Sequence, residues 1–328
     1  MTQGVKHPRA VETCSRVDYN QAVSKAILAL ICAPLVVGAC KKSSPKANDE
    51  GAIPAMDHSS GAGTAATTPD NGPVDTTPLP GIDAAKLGDK TGTFYKLVGS
   101  LQSPCGKAES LRASFTKDTS CKRAPFAVRY VMALLEDEAT EAQAREEYEH
   151  KYKPDGQPVK LDVSKAPHEG ATDAPVHMVE FFDYGCPHCQ AFKPMMDQVL
   201  ADEQGKAVTY FLMFPLEKHP DSKSAAQAAL AANAQGKFKE MHALLFDKAP
   251  QQNHDQVTEY AKQLGLDMTK FEADYQAAAA QVAADLKQGD AAGVDSTPTL
   301  FFNDRKYEGP MHPKYIEMWI EEELAVNR

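Results

Sequence analysis

Met178-Val-Glu-Phe-Phe-Asp-Tyr-Gly-Cys-Pro-His-Cys189 sets an apolar run against a Tyr-Gly turn and a Cys-x-x-Cys pair. The run reads as a strand, and Cys186-Pro187-His188-Cys189 as the opening of a helix. Unpaired N–H groups and the macrodipole at a helix N-terminus favour negative charge, so Cys186 is placed to ionise readily. Pro187 fits the first turn, where its missing N–H has no intrahelical acceptor, and His188 adds an imidazole that can support a thiolate. Cys189, one turn further in, is expected to be the shielded resolving thiol. Two such sulfurs can close and reopen a disulfide by thiolate attack. A zinc site is the other use of Cys-x-x-Cys, but it needs four ligands and no second pair follows. A structural disulfide is the remaining alternative.

Outward from this centre, Gln157–Val163 alternates apolar and polar residues and reads as an edge strand. Helix 187–202 contains Pro194, which predicts a kink, and the nearly all-apolar Ala207–Leu216 reads as a central strand. Four helical stretches, 222–235, 237–247, 255–264 and 268–287, occupy the region of about 221–288, broken at Gly236, Pro250 and Gly265. Val294–Phe302, Asn303-Asp304 and Arg305–Glu308 have hairpin spacing, and an amphipathic helix runs from His312 to about Leu324. Strand, helix, strand, helices, hairpin and helix make an α/β layout with a helical insertion.

Toward the N-terminus, residues 93–153 read as a small helical unit. Phe94, Leu97, Val98 and Leu101 fall at helical spacing, Leu111 and Phe115 suggest a brief helix, and Pro125–Leu135 repeats the pattern. Acidic Glu136–Glu141 followed by basic His150–Lys153 suits a helix dipole. Cys105 and Cys121 would close a loop of about sixteen residues, worth about 3 kcal/mol as a structural staple, or would exchange disulfides with the Cys186–Cys189 centre.

Residues 40–92, rich in Ser, Thr, Pro, Gly and Ala, read as a disordered, flexible linker, with a reach of roughly 40 Å. Residues 1–39 read as a leader: Lys25 precedes the apolar Ala26–Ala39, too short to span a bilayer but suited to a secretory signal. Val37-Gly38-Ala39-Cys40 resembles a lipoprotein processing site, which makes Cys40 the lipidated residue and the chain a periplasm-facing membrane lipoprotein. Lys41 lacks the acidic character linked to inner-membrane retention, favouring the outer membrane. The stretch before Lys25 is long for a leader, as a start downstream of Met1 would explain. Of seven cysteines, Cys14 and Cys32 leave with the leader and the last four pair, the even usage of an oxidising compartment. The formal charge is −10; the first 39 residues carry +2, leaving −12, which disfavours nucleic acid as a partner.

Residues 157–325 resemble the thioredoxin-fold thiol:disulfide oxidoreductases of the DsbA type, on Asp173-Ala-Pro-Val176, Glu180-Phe-Phe182, Cys-Pro-His-Cys and Gly293-Val294 through Thr297-Pro298-Thr299. The resemblance implies a thioredoxin fold over 157–328 with an inserted helical subdomain. It makes Cys186 the exposed nucleophile and Cys189 the resolving thiol. Pro298 would be a cis proline facing them, leaving the backbone beside Thr297 free to pair with an extended substrate. Glu180 matches a buried carboxylate that manages the inner thiol's proton. The lysine that often accompanies that carboxylate is absent from the next strand, where Thr209 and Tyr210 stand, and Thr297 replaces the frequent valine. The expected activity is a dithiol oxidase forming disulfides in exported proteins, needing no cofactor beyond its own disulfide and reoxidised by a membrane redox partner. A reductase or isomerase with the same site, in which 93–153 serves as a dimerisation module, and a non-catalytic binding or assembly lipoprotein are the rival readings.

Overall fold

The protein is described by a computed structural model covering residues 73–152 and 158–327. The leader, Cys40 and most of the linker lie outside the described residues. Five strands form one sheet in the order β1-β3-β2-β4-β5. The central strand is β2 (Val176–Phe182), not the Ala207–Leu216 segment expected from apolarity alone. That segment, β3 (Ala207–Met213), pairs in parallel with β2 and is flanked by β1 (His168–Glu169), a two-residue antiparallel strand. Even so short a neighbour makes β3 an interior strand, and all seven of its residues are buried. On the other side β4 (Thr299–Phe302) runs antiparallel to β2 and continues through Asn303-Asp304, both at positive φ, into β5 (Arg305–Lys306). These are the mirror-turn conformations that Asn and Asp tolerate best after Gly, and they match the twist of the strands they join.

The edge strand expected at 157–163 is not one. Over the described part of this segment the alternation is real, but its apolar residues Val159, Leu161 and Val163 pack onto the sheet without joining its ladder. Its backbone bonds go instead to the Asp304 carbonyl and the Gln288 side chain. Alternation records a half-buried extended chain, and only a free strand edge turns it into a ladder.

Ten α-helices are described. α1 (Thr91–Ser100), α2 (Leu111–Lys117), α3 (Ala124–Glu136) and α4 (Glu141–Lys151) precede the sheet. α5 (Pro187–Asp202) follows β2 and passes through Pro194 as one helix. α6 (Ser222–Asn233), α7 (Phe238–Asp247), α8 (His254–Gln263) and α9 (Met268–Ala291) form the insertion, and α10 (Pro313–Val326) closes the chain. α9 continues past its expected end through Gly289, whose missing side chain lets the helix approach the Phe214 ring: a Cβ there would lie 2.6 Å from it. The charge order of 136–153 resolves into a break at Asp137–Thr140 and a separate α4, whose Thr140–Gln143 capping box starts it.

Order begins before the expected boundary at Thr93. Leu79, Ala84 and Leu87 are buried, the last two within a short 3-10 helix, Ala84–Lys90. Leu79 and Leu87 lie among Pro, Gly and Asp with no helical period, so only their burial against α1 and α3 reveals them. The N-terminal helices are also continuous with the rest, because Tyr315 of α10 belongs to their core. Beneath it lies a buried ionic cluster. Glu322, 1% exposed, takes Arg123 at 2.6 Å and Lys151 at 2.9 Å; Glu323 takes Arg123 at 3.2 Å and Arg305 at 3.0 Å. The Lys151 ammonium also lies 3.4 Å from the Trp319 ring centroid. Removing one member of such a cluster leaves its partners charged and dry. Glu322→Ala is therefore expected to lower unfolding free energy by about 3–5 kcal/mol in urea titrations; a loss under about 1 kcal/mol would show the cluster to be hydrated.

Candidate active site

Cys186 is the N-cap of α5, with Pro187 at the first helical position, and its carbonyl accepts the Gln190 N–H at 3.0 Å. The Asp183 carbonyl in turn accepts the Cys186 N–H at 3.1 Å, closing the turn between β2 and α5. Across from it the Thr297–Pro298 peptide is cis, and the Cys186 thiol donates to the Thr297 carbonyl at 3.4 Å. Segments 111 residues apart thus meet at one sulfur. The Thr297 hydroxyl is buried beside the pair and pulls the Cys189 thiol down, while the segment's hydrogen bond to Cys186 is made by its backbone.

Cys186 is more covered than the exposed nucleophile expected from the sequence: it is 3% exposed, against 1% for Cys189. The Thr297–Pro298 segment lies against its sulfur, and both cysteines pack into one apolar cluster with Phe182 and Tyr184. What separates the two is their surroundings. Burial pushes the Cys189 thiol far above its ordinary range, the negative charges of Glu180 and Cys186 add to this, and the Asp183 backbone opposes it. Pro187 and His188 are exposed, and no hydrogen bond among the described residues joins the His188 ring to either sulfur. Cys105 and Cys121 are bonded to each other, their Cα atoms 5.9 Å apart; Cys121 belongs to the core of the N-terminal helices, not to the cluster around Cys186.

Glu180 lies in the middle of β2, opposite Phe211 on one side and Leu300 on the other. Burial pushes its carboxyl up to about 8, with Lys193 pulling down and Asp197 pushing up. Its nearest influential cation thus comes from α5, one turn beyond Cys189, where Lys193 pairs with Asp197 at 2.6 Å. Sequence reading looked for this lysine on the adjacent strand. There Thr209 is fully buried with an unpartnered hydroxyl, and Tyr210 stacks near His168 and His177. The i, i+4 spacing of Cys189 and Lys193 was the available signal.

The turn after β2, the loop before α6 and the insertion supply residues that sequence reading missed. Asp183, 1% exposed, takes the Gly185 N–H at 2.8 Å, the Leu216 N–H at 3.0 Å and His219 Nδ1 at 2.6 Å. Tyr184 shares a hydrogen bond of 2.9 Å with His242 Nδ1, and Gln252 donates to the Tyr184 carbonyl. Burial holds His242 down to about 3, so the ring that pairs with the tyrosine is neutral. Gly185 approaches the insertion so closely that a Cβ would strike Ser222 and His219. No metal-binding cluster of His, Cys, Asp or Glu occurs among the described residues.

Residues 162–322 match the family model described as thioredoxin. Among solved structures, the chain is similar to oxidised BdbD from Bacillus subtilis, at 24% identity and TM-score 0.46, covering 52% of this chain and 98% of that one. It is also similar to a thioredoxin-like oxidoreductase from Silicibacter pomeroyi, at 27% identity and TM-score 0.43, covering 48% and 91%. Curated relatives include the Na(+)/H(+) antiporter NhaA 3 of Salinispora tropica, 34% identical over 155 residues, 46% of this chain and 24% of that protein. The NhaA 1 antiporter of a Mycobacterium is 35% identical over 146 residues, 43% and 24% respectively. The chain thus spans about a quarter of the length of these relatives, and none of its described helices is long and apolar enough to cross a membrane.

A carboxyl raised from 4.5 to about 8 makes the folded state hold a proton that the unfolded chain releases. Stability from this group is full below the unfolded value and is lost as pH rises, by about 1.4 kcal/mol per pH unit, until the folded value is passed. Denaturant titrations of the disulfide form between about pH 5 and about pH 8 should show this slope, and Glu180→Gln should remove it. Parallel profiles for the two proteins would mean that Glu180 is hydrated.

Proposed function

With residues 162–322 a domain of the thioredoxin family, we propose that this thiol:disulfide oxidoreductase works as a dithiol oxidase on exported proteins. A substrate thiolate attacks the Cys186 sulfur of the oxidised pair, and the S–S bond breaks toward Cys189. A second substrate thiolate then attacks the substrate sulfur of the mixed disulfide and releases Cys186. The substrate loses two electrons and two protons as its disulfide forms, and the Cys186–Cys189 pair gains both.

The observation that supports this direction is the place of Cys186 at the N-cap of α5, where the helix terminus favours its thiolate and so the reduced pair. Cys189 is a poor leaving group, because burial disfavours its thiolate. Glu180, raised to about 8, holds a proton at neutral pH and is close enough for its charge to influence Cys189. It is therefore an acid loaded to protonate the departing sulfur, and it recovers its proton from solvent once the substrate has left. The Thr297 backbone, bonded to Cys186, offers an extended substrate segment an edge to align on. Lipidation at Cys40 would hold the domain at the periplasmic face of a membrane, the outer one by the Lys41 signal, on a tether. A membrane redox partner restores the disulfide. Cys105–Cys121 is a structural staple in this reading, and His188 faces the solvent from which substrate arrives.

Equilibration of the full chain in glutathione buffers tests the direction. A potential more oxidising than about −200 mV supports the oxidase, whereas one near about −270 mV, the thioredoxin range, makes the domain a reductase. Cys189→Ser should accumulate mixed disulfides with substrate and Cys186→Ser should form none.

A further inference from the structure

We infer that His219, held by Asp183, is a positioning residue for the redox turn and sets how strongly the Cys186–Cys189 pair oxidises. The inference rests on the reading of that pair as redox-active. Asp183 sits between the last residue of β2 and the turn, and its carboxylate is buried among three donors. One belongs to the turn itself, the Gly185 N–H. The other two, Leu216 N–H and His219 Nδ1, come from the loop between β3 and α6. The same residue's carbonyl holds the Cys186 N–H. Ser222 Oγ reinforces the junction by accepting the Gly185 N–H at 3.1 Å.

Of the three donors on Asp183, His219 alone is a side chain, and at 2.6 Å it makes the shortest contact. Its side chain is 18% exposed whereas that of Asp183 is fully buried, so the imidazole stands between solvent and the carboxylate. A dry carboxylate that loses its strongest donor becomes a more concentrated negative charge beside the turn. A second negative charge on Cys186 then costs more, the reduced form is less stable, and the pair becomes a weaker oxidant. The Gly185 backbone loosens at the same time, since Asp183 and Ser222 hold it from opposite sides of the junction.

Three variants of the full chain, each equilibrated in glutathione, test this. His219→Ala removes the donor and is expected to shift the equilibrium constant about tenfold toward a more reducing pair, about 30 mV for a two-electron couple. His219→Asn places an amide N–H where Nδ1 stood and should restore the wild-type constant within about threefold, about 14 mV. His219→Gln carries the same amide one carbon further out and should behave like alanine. Should the alanine variant not fold, as circular dichroism would show, Asn against Gln carries the comparison at equal charge. Equal constants for Asn and Gln, or a folded alanine variant with the wild-type constant, overturn the inference. A wild-type chain with no reversible Cys186–Cys189 couple overturns instead the reading on which it rests.

Discussion

A single contact, the Cys186 thiol against the Thr297 carbonyl, sets the demands that the rest of the chain meets. One partner must cap a helix and the other must begin a strand, and both strands must be neighbours in one sheet. β2 and β4 satisfy this by pairing antiparallel from Met178–Phe302 to Phe181–Thr299, which brings the start of β4 to the end of β2 where the helix begins. The 110 residues between the two partners are then free to become α5, β3 and the helical insertion, provided the chain returns to that register.

Burial turns this geometry into chemistry. Glu180 and Cys189 are both acids whose charged forms the interior disfavours, one raised to about 8 and the other well above its usual range. The charge of Glu180 raises the cost of ionising Cys189 further, so the interior resists holding both ions at once. Lys193 moderates the carboxyl from α5, the helix that is capped by Cys186 and carries Cys189. The insertion and the loop that leads into it complete the arrangement: His219 through Asp183, Ser222 through Gly185, and His242 and Gln252 through Tyr184 all grip the turn.

The N-terminal helices are tied to the rest of the described chain through α10. Arg123 and Lys151 reach Glu322 from α3 and α4, and Arg305 reaches Glu323 from β5, so one ionic cluster ties these helices to the hairpin that follows Thr297–Pro298. Trp319, the sole tryptophan of the chain, is buried beside this cluster with Lys151 over its ring.

The α/β layout and its helical insertion were legible in the sequence, because strand, turn, capped helix and hairpin each depend on neighbours within a few residues. The insertion helices stand within a few residues of their expected bounds for the same reason: Gly236, Pro250 and Gly265 act locally. Glu180 was legible too, since a carboxylate in an apolar run announces its own cost. Tertiary structure alone decided that Val159–Val163 packs without pairing, that β2 rather than β3 is central, and that Leu79 and Leu87 belong to the core. It alone brought His219 to Asp183, because which charges share a buried space depends on contacts between distant segments, and no periodicity records those.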